Sequence, residues 1–221
     1  MLLIARSTVV VGRRPATILV APAQAAARGT HPLHSSAIEI LTICTGNICR
    51  SPMAEAFLRR DLGARGVDAD VTSAGIIRDD MLPPAEVVEV LCQRGLDVTT
   101  HRSRVIHAEL VAPADLVVGM AREHVREAVL LQPALFARAF TLKELVWRGD
   151  DIGRRLPREP LASWLGRMGI DRRPSNILGA SDRDDIADPI GMRLPAFEKT
   201  AAEIEELVGR FVDLAWPREP V

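Results

Sequence analysis

Short apolar runs, each followed by a segment of helical period, constrain this chain more than any other feature of its 221 residues. Ala37-Ile38-Glu39-Ile40-Leu41-Thr42-Ile43 is β-branched and almost continuously apolar, as a strand buried on both faces must be. A turn-like cluster, Thr45-Gly46-Asn47, follows it. Ser51-Pro52 then supplies an N-cap and a first-turn proline, and Met53, Ala56, Phe57 and Leu58 recur at helical spacing as far as Gly63 and Gly66. The unit is strand, tight loop, helix. It recurs as a strand at Asp70–Ser73 with a helix at Ala85–Arg94, and as a strand at Leu116–Met120 with a helix at Arg122–Leu131. A fourth strand at Ala139–Leu142 precedes a short helix at Lys143–Trp147. This alternation predicts an α/β fold, an open four-stranded parallel sheet with helices on both faces and right-handed crossovers. A long amphipathic helix, Ala196–Ala215, closes the pattern.

Two stretches fall outside the rhythm. Residues 148–184 are rich in Arg, Gly, Asp and Pro around one amphipathic stretch, Leu161–Met168, and are expected to form a partly helical surface insertion. Residues 1–36 contain no acidic side chain, since the first is Glu39. They read as a disordered or targeting-like extension, so residues 37–221 are expected to hold one domain. All but Lys143 and Lys199 of the 28 basic residues are Arg, yet the net charge is -1. That balance points away from a nucleic-acid partner. No segment reaches the roughly 20 apolar residues of a membrane span. Three Cys make no disulfide framework and fit a reducing, cytoplasmic location, which the extension leaves open to export.

The loop after the first strand, Cys44-Thr45-Gly46-Asn47-Ile48-Cys49-Arg50-Ser51, carries the chemistry. In an open parallel sheet, ligands bind beyond the carboxyl ends of the strands. Successive backbone N–H groups there can form an anion nest, and the following helix adds positive charge from its N-terminus. Gly46 and Asn47 tolerate the positive φ of a tight cradle. Arg50 offers a planar fork for two phosphate oxygens. Cys44 would sit at the strand end in this positive field, which favours the thiolate. A thiolate attacking phosphorus needs a proton donor for the leaving oxygen. Asp188, in the Pro/Gly-punctuated loop before the last helix, is the candidate. Asp184 and Asp185 nearby read as solvated loop charges.

Cys44–Ser51, continuing as Pro52-Met53-Ala54-Glu55-Ala56, resembles the active-site signature of the low-molecular-weight protein tyrosine phosphatases, bacterial type. Thr72-Ser73-Ala74-Gly75, His101-Arg102-Ser103, Thr141-Leu142-Lys143-Glu144-Leu145 and Asp188-Pro189 resemble further family segments in the family's order. The resemblance spans about residues 37–215 outside the insertion and implies the doubly wound, flavodoxin-like phosphatase fold. It implies a metal-independent phosphomonoester hydrolase without cofactor, acting through a cysteinyl-phosphate. Cys44 would be the nucleophile, with phosphate held by Thr45, Gly46, Asn47, Ile48, Cys49, Arg50 and Ser51. Asp188 would be the general acid and then base. Ser51 would hydrogen-bond the thiolate, while Asn47, Ser73 and His101 brace the loop. Cys49 would form a reversible disulfide with Cys44 under oxidation. The expected partner is a phosphorylated protein or a small phosphomonoester.

Other readings stay open beside this one. Cys92 reads as core, and His107 and His124 as surface or structural. No His/Cys/Asp cluster has zinc spacing, so no metal is expected. The arsenate reductases of similar fold need two further Cys near the third strand, which Leu116–Leu131 lacks. Ile190-Gly191-Met192 and Ile76-Ile77-Arg78 stand where many family members carry aromatic residues, so the substrate wall is aliphatic in a chain with no Tyr. Related phosphoarginine phosphatases tend to carry Thr at the position of Ile48, and Ile48 favours an ester instead. A phosphoarginine phosphatase, or a weakly catalytic phosphoprotein-binding module, is the alternative.

Overall fold

A computed structural model describes residues 37–218; the expectation for 1–36 lies outside them. Strand β1 (Ile38–Ile43) lies between β2 (Ala69–Ala74) and β3 (Leu116–Gly119), and β4 (Ala139–Thr141) flanks β3. The order is β2-β1-β3-β4, all parallel. Alternate side chains of each strand feed two separate cores. Ile40, Leu116, Val118 and Phe140 pack on one face with helix α1 (Arg50–Gly63) and the long C-terminal helix α7 (Leu194–Ala215). Leu41, Ile43, Val117 and Ala139 pack on the other with Val125 and Ala128 of α4 (Arg122–Leu131). Both faces are covered, which is why these strands could be read as continuous apolar runs.

The register aligns the carboxyl ends: Ile43 pairs with Ala74 on one side and Gly119 on the other. β1 is the strand from which the chain winds outward in both directions. The crevice beyond its carboxyl end, between β1 and β3, is the switch point of such a sheet. Helices α2 (Ala85–Cys92) and α3 (Ala108–Val111) complete the layers before β3. Among the described residues no helix is long and apolar enough to cross a membrane.

Four expectations need correction. The helix after β4, expected at Lys143–Trp147, is α5 (Leu142–Ile152), capped by the Thr141 hydroxyl accepting from the Glu144 amide at 3.0 Å. Gly149 does not end it. A Cβ there would lie 2.9 Å from Leu214, so the glycine lets α5 approach α7. Residues 148–184 are only partly a surface segment. Helix α6 (Leu161–Met168) buries Trp164, Leu165 and Met168 in the main core, with Trp164 stacked on Phe211 of α7 at 6.3 Å. Ser51 does not cap α1; the helix starts at Arg50, two residues earlier than that cap implies, and its N-cap, Cys49, makes no side-chain capping bond. Cys92, read as core, ends α2 exposed.

The segment is anchored by charge as well as by packing. Glu144, buried in α5, accepts from Arg148 at 2.8 Å and from Arg172 at 2.9 Å. Arg172 also donates to the carbonyl of Ala139 at 2.7 Å and lies over the Phe140 ring at 4.0 Å. Trp164→Ala should therefore cost about 3–5 kcal/mol, as for a core aromatic rather than a surface residue. Urea unfolding followed by circular dichroism checks this, and a loss below about 0.5 kcal/mol would return the segment to the surface.

Candidate active site

The loop between β1 and α1 is held open by its neighbours. The Cys44 amide donates to the Ala74 carbonyl at 3.2 Å, and the Ile76 amide to the Thr45 carbonyl at 2.8 Å. A Cβ on Gly75 would lie 2.9 Å from backbone atoms of Thr45, Gly46 and Asn47, so only glycine permits this approach. Asn47 turns the loop at φ 52, a left-handed conformation that Asn accepts more readily than most residues. Its side-chain amide donates to Ser73 at 2.8 Å and to Ser51 at 3.0 Å. Its Oδ1 accepts the Arg104 amide at 3.0 Å, and its carbonyl lies 2.7 Å from His101 Nε2.

Cys44 Sγ receives two donors, the Ser51 hydroxyl at 3.0 Å and the Asn47 amide at 3.2 Å. Ser51 therefore spends its hydroxyl on sulfur rather than on a helix cap. The N-terminus of α1, a helix of 14 residues, adjoins the same loop and favours negative charge there. Cys49 is also buried and free. Burial, followed by the Cys44 and Asp188 charges, pushes its pKa well above the ordinary thiol value. That holds Cys49 as the neutral thiol.

Arg50 is buried and branches three ways: to the Ile186 carbonyl at 2.9 Å, the Thr45 hydroxyl at 3.1 Å and the Asp188 carboxylate. Its Nε is buried with no partner. An unpaired guanidinium donor in the lining of a cavity is an opening for an anion. The Ile186 amide donates to the Met120 carbonyl at 2.8 Å, fixing the acid loop to the end of β3. The neighbouring acids are not solvated, as the sequence led one to expect. Asp184 is buried against Arg122 and accepts from Trp147 Nε1 at 3.0 Å. Asp185 accepts the Arg122 and Ser181 amides. Both are committed to structure, whereas the Asp188 side chain is 39% exposed.

A cavity of about 220 Å³ is lined by Cys44, Arg50 and Asp188 and walled by Ile48, Ile77, Met81 and Ile190. Of the aliphatic wall read from the sequence, Ile77 and Ile190 line this cavity, joined by Ile48 and Met81, whereas Ile76 packs against the second core and Met192 is not in the lining. Among the described residues no group of three His, Cys, Asp or Glu side chains is placed to hold a metal.

One site residue escaped the sequence reading. His124, in the first turn of α4, is fully buried with Nε2 3.0 Å from the Thr45 hydroxyl, the group that also accepts from Arg50. Its Nδ1 has no partner. The available signal was its place just after β3, where the switch-point rule brings α4 beside the β1 loop.

A thiol with two donors, a buried arginine and one partly exposed carboxyl, at the switch point of a parallel sheet, are the arrangement of a cysteine-dependent phosphatase. A sequence profile described as low molecular weight phosphotyrosine protein phosphatase matches residues 39–152. The chain is 32% identical over 180 residues, 81% of its length and 94% of the relative, to the probable low molecular weight protein-tyrosine-phosphatase EpsP of Ralstonia nicotianae. The structure of a low molecular weight protein tyrosine phosphatase from T. tengcongensis superposes with a TM-score of 0.60 at 31% identity, covering 80% of this chain and 99% of that one. The arginine phosphatase YwlE, solved with a phosphorylated active-site serine in place of cysteine, matches with a TM-score of 0.60 at 25% identity, covering 80% and 94%. This chain belongs to the low molecular weight phosphotyrosine protein phosphatase family.

Burial, with the Arg50 and Arg126 charges, lowers the His124 pKa from 6.5 to about 3. Below about pH 6.5 the unfolded chain takes up a proton at this ring that the folded chain refuses. Stability from this group is complete above pH 6.5 and falls as pH drops towards 3, by up to about 1.4 kcal/mol per unit. His124→Asn removes that dependence, so wild type should lose stability relative to the variant between pH 7 and pH 5. Urea midpoints at both pH values measure it, and a constant difference rejects it.

Proposed function

We propose that this chain hydrolyses phosphate esters on phosphorylated proteins, with Cys44 as nucleophile, Arg50 as phosphate clamp and Asp188 as proton donor. The observation that carries the reading is Cys44 Sγ, held by the Ser51 hydroxyl and the Asn47 amide in the cavity lined by Arg50 and Asp188. The phosphorylated serine in the YwlE structure supports a covalent intermediate at this position.

Phosphate entering the cavity competes with Asp188 for the Arg50 guanidinium. That frees the Asp188 carboxyl to face the leaving oxygen. The thiolate attacks phosphorus in line, the P–O bond to the alcohol breaks, and the leaving oxygen takes the Asp188 proton. Arg50 and the loop amides hold the charge spread over the equatorial oxygens. Water then attacks the cysteinyl-phosphate and gives its proton to Asp188. The Cys44 thiolate departs, stabilised by the Ser51 hydroxyl. Thr45, Gly46, Ile48 and Cys49 complete the cradle, and Asn47, Ser73 and His101 keep its shape. Cys49, a second buried free thiol in the loop, is assigned as the disulfide partner of Cys44 under oxidation.

An ester is favoured over phosphoarginine because Ile48, Ile77, Met81 and Ile190 offer a guanidinium no polar side chain. Cys44→Ser should abolish metal-free hydrolysis of p-nitrophenyl phosphate, by about 10³-fold or more; normal turnover by that variant would sink the proposal. Asp188→Ala should slow phenyl phosphate by roughly 10²-fold or more and p-nitrophenyl phosphate far less, because the activated leaving group needs little protonation. Equal losses on the two esters would assign the proton to another residue.

A further inference from the structure

The catalytic cavity holds a phosphorylated side chain and little more, yet the apolar surface continues past it. Of the large apolar side chains left exposed among the described residues, four sit on the two loops that wall the cavity. Ile77 is 62% and Leu82 56% exposed on one loop; Ile190 is 44% and Met192 59% exposed on the other. Ile77 and Ile190 line the cavity itself; Leu82 and Met192 do not, and stand one residue after Met81 and two after Ile190, which do.

These loops are tied down. The Asp80 amide donates to the Ser103 carbonyl at 2.7 Å, the Met81 amide to the Ser103 hydroxyl at 2.9 Å, and the Ser103 amide to the Met81 carbonyl at 3.0 Å. The Met192 amide donates to the Pro189 carbonyl at 2.9 Å, closing the turn after Asp188. The collar is therefore held outward by backbone bonds. Fixed apolar side chains in water contribute little to folding, and exposed ones gathered on the two loops that wall a cavity mark a binding surface.

We infer that this aliphatic collar docks the polypeptide on either side of the phosphorylated residue, and that the flanking residues it selects are aliphatic. The inference rests on the phosphatase reading and names the substrate class of that site. A small phosphomonoester fills the cavity and leaves the collar in water, so only a ligand extending in both directions covers it. An anionic lipid surface is disfavoured, because the first loop carries Asp79 and Asp80 beside Arg78 rather than a basic cluster. Collar contacts persist through reaction, so they act on KM more than on kcat.

The test compares two phosphotyrosine peptides of equal length and charge, one with Leu and Val around the phosphotyrosine, the other with Ser and Asn. Wild-type protein should prefer the aliphatic peptide by about tenfold in kcat/KM, carried by KM, as expected for partly burying one or two aliphatic side chains. The double variant Leu82→Ser/Met192→Ser should reduce that preference to about twofold and leave p-nitrophenyl phosphate hydrolysis unchanged. Equal rates on both peptides, with p-nitrophenyl phosphate hydrolysed normally, overturn the inference alone. Failure on every ester overturns the phosphatase reading instead. Co-sedimentation with phosphatidylserine vesicles, or a dimer in sedimentation velocity, that the double variant abolishes would reassign the collar to a lipid surface or to a second copy.

Discussion

The site depends on one residue held in an uncommon backbone conformation. Asn47 stands at positive φ, and its four polar atoms are all engaged: the amide N–H with the Cys44 sulfur, the carbonyl with His101, the side-chain amide with Ser51 and Ser73, and the side-chain oxygen with the Arg104 amide. These bonds join the end of β1, β2, α1 and the segment after α2 through one residue. Each buried polar group orphaned by its removal would cost about 1–3 kcal/mol. The shape of the phosphate loop is thus set by tertiary bonding rather than by the loop's own preference. Gly75 supplies the complement, an absent side chain where the β2 turn meets the loop backbone.

The proposed acid is positioned from the end of β3, where the Ile186 amide bonds the Met120 carbonyl. Asp188 follows a stretch in which Asp184 is clamped by Arg122 and Trp147, Asp185 accepts two backbone amides, and the Lys143 ammonium donates to the Asp185 carbonyl at 2.8 Å. The acidic run 182–188 thus divides its labour. The carboxylates of Asp184 and Asp185 hold the loop to α4 and α5, whereas Asp182 and Asp188 stay exposed. The segment before it is itself fixed by Glu144 and its two arginines, a buried group of charges that would be strongly destabilising if one partner were removed.

The alternation of strands and helices and the loop after β1 could be read in the sequence because both depend on local pattern. Buried parallel strands are written as apolar runs, and Cys44, Gly46, Asn47 and Arg50 fall within one turn of chain. What could not be read depends on residues far apart. The helix expected to end at Trp147 runs on because Gly149 lets it pack against Leu214. Trp164 looks like part of a surface excursion until it meets Phe211. Ser51 looks like a cap because its better partner, the Cys44 sulfur, competes for the same hydroxyl. His124 shows only its place after β3, which does not name the hydroxyl it reaches 79 residues earlier.

Trp147 gives the acid loop an optical handle. The chain has three Trp and no Tyr, so its near-ultraviolet emission comes from very few rings. Trp164 and Trp216 both pack on Phe211 at the far face of α7's core. Trp147 alone touches the catalytic end: it donates to Asp184, and the Arg183 guanidinium lies 3.7 Å from its ring centre. A cation against an indole face and a carboxylate on its N–H are both sensitive to small displacements. The intrinsic fluorescence of this protein therefore resolves into a reporter of the core and a reporter of the loop that bears Asp188, with no label attached.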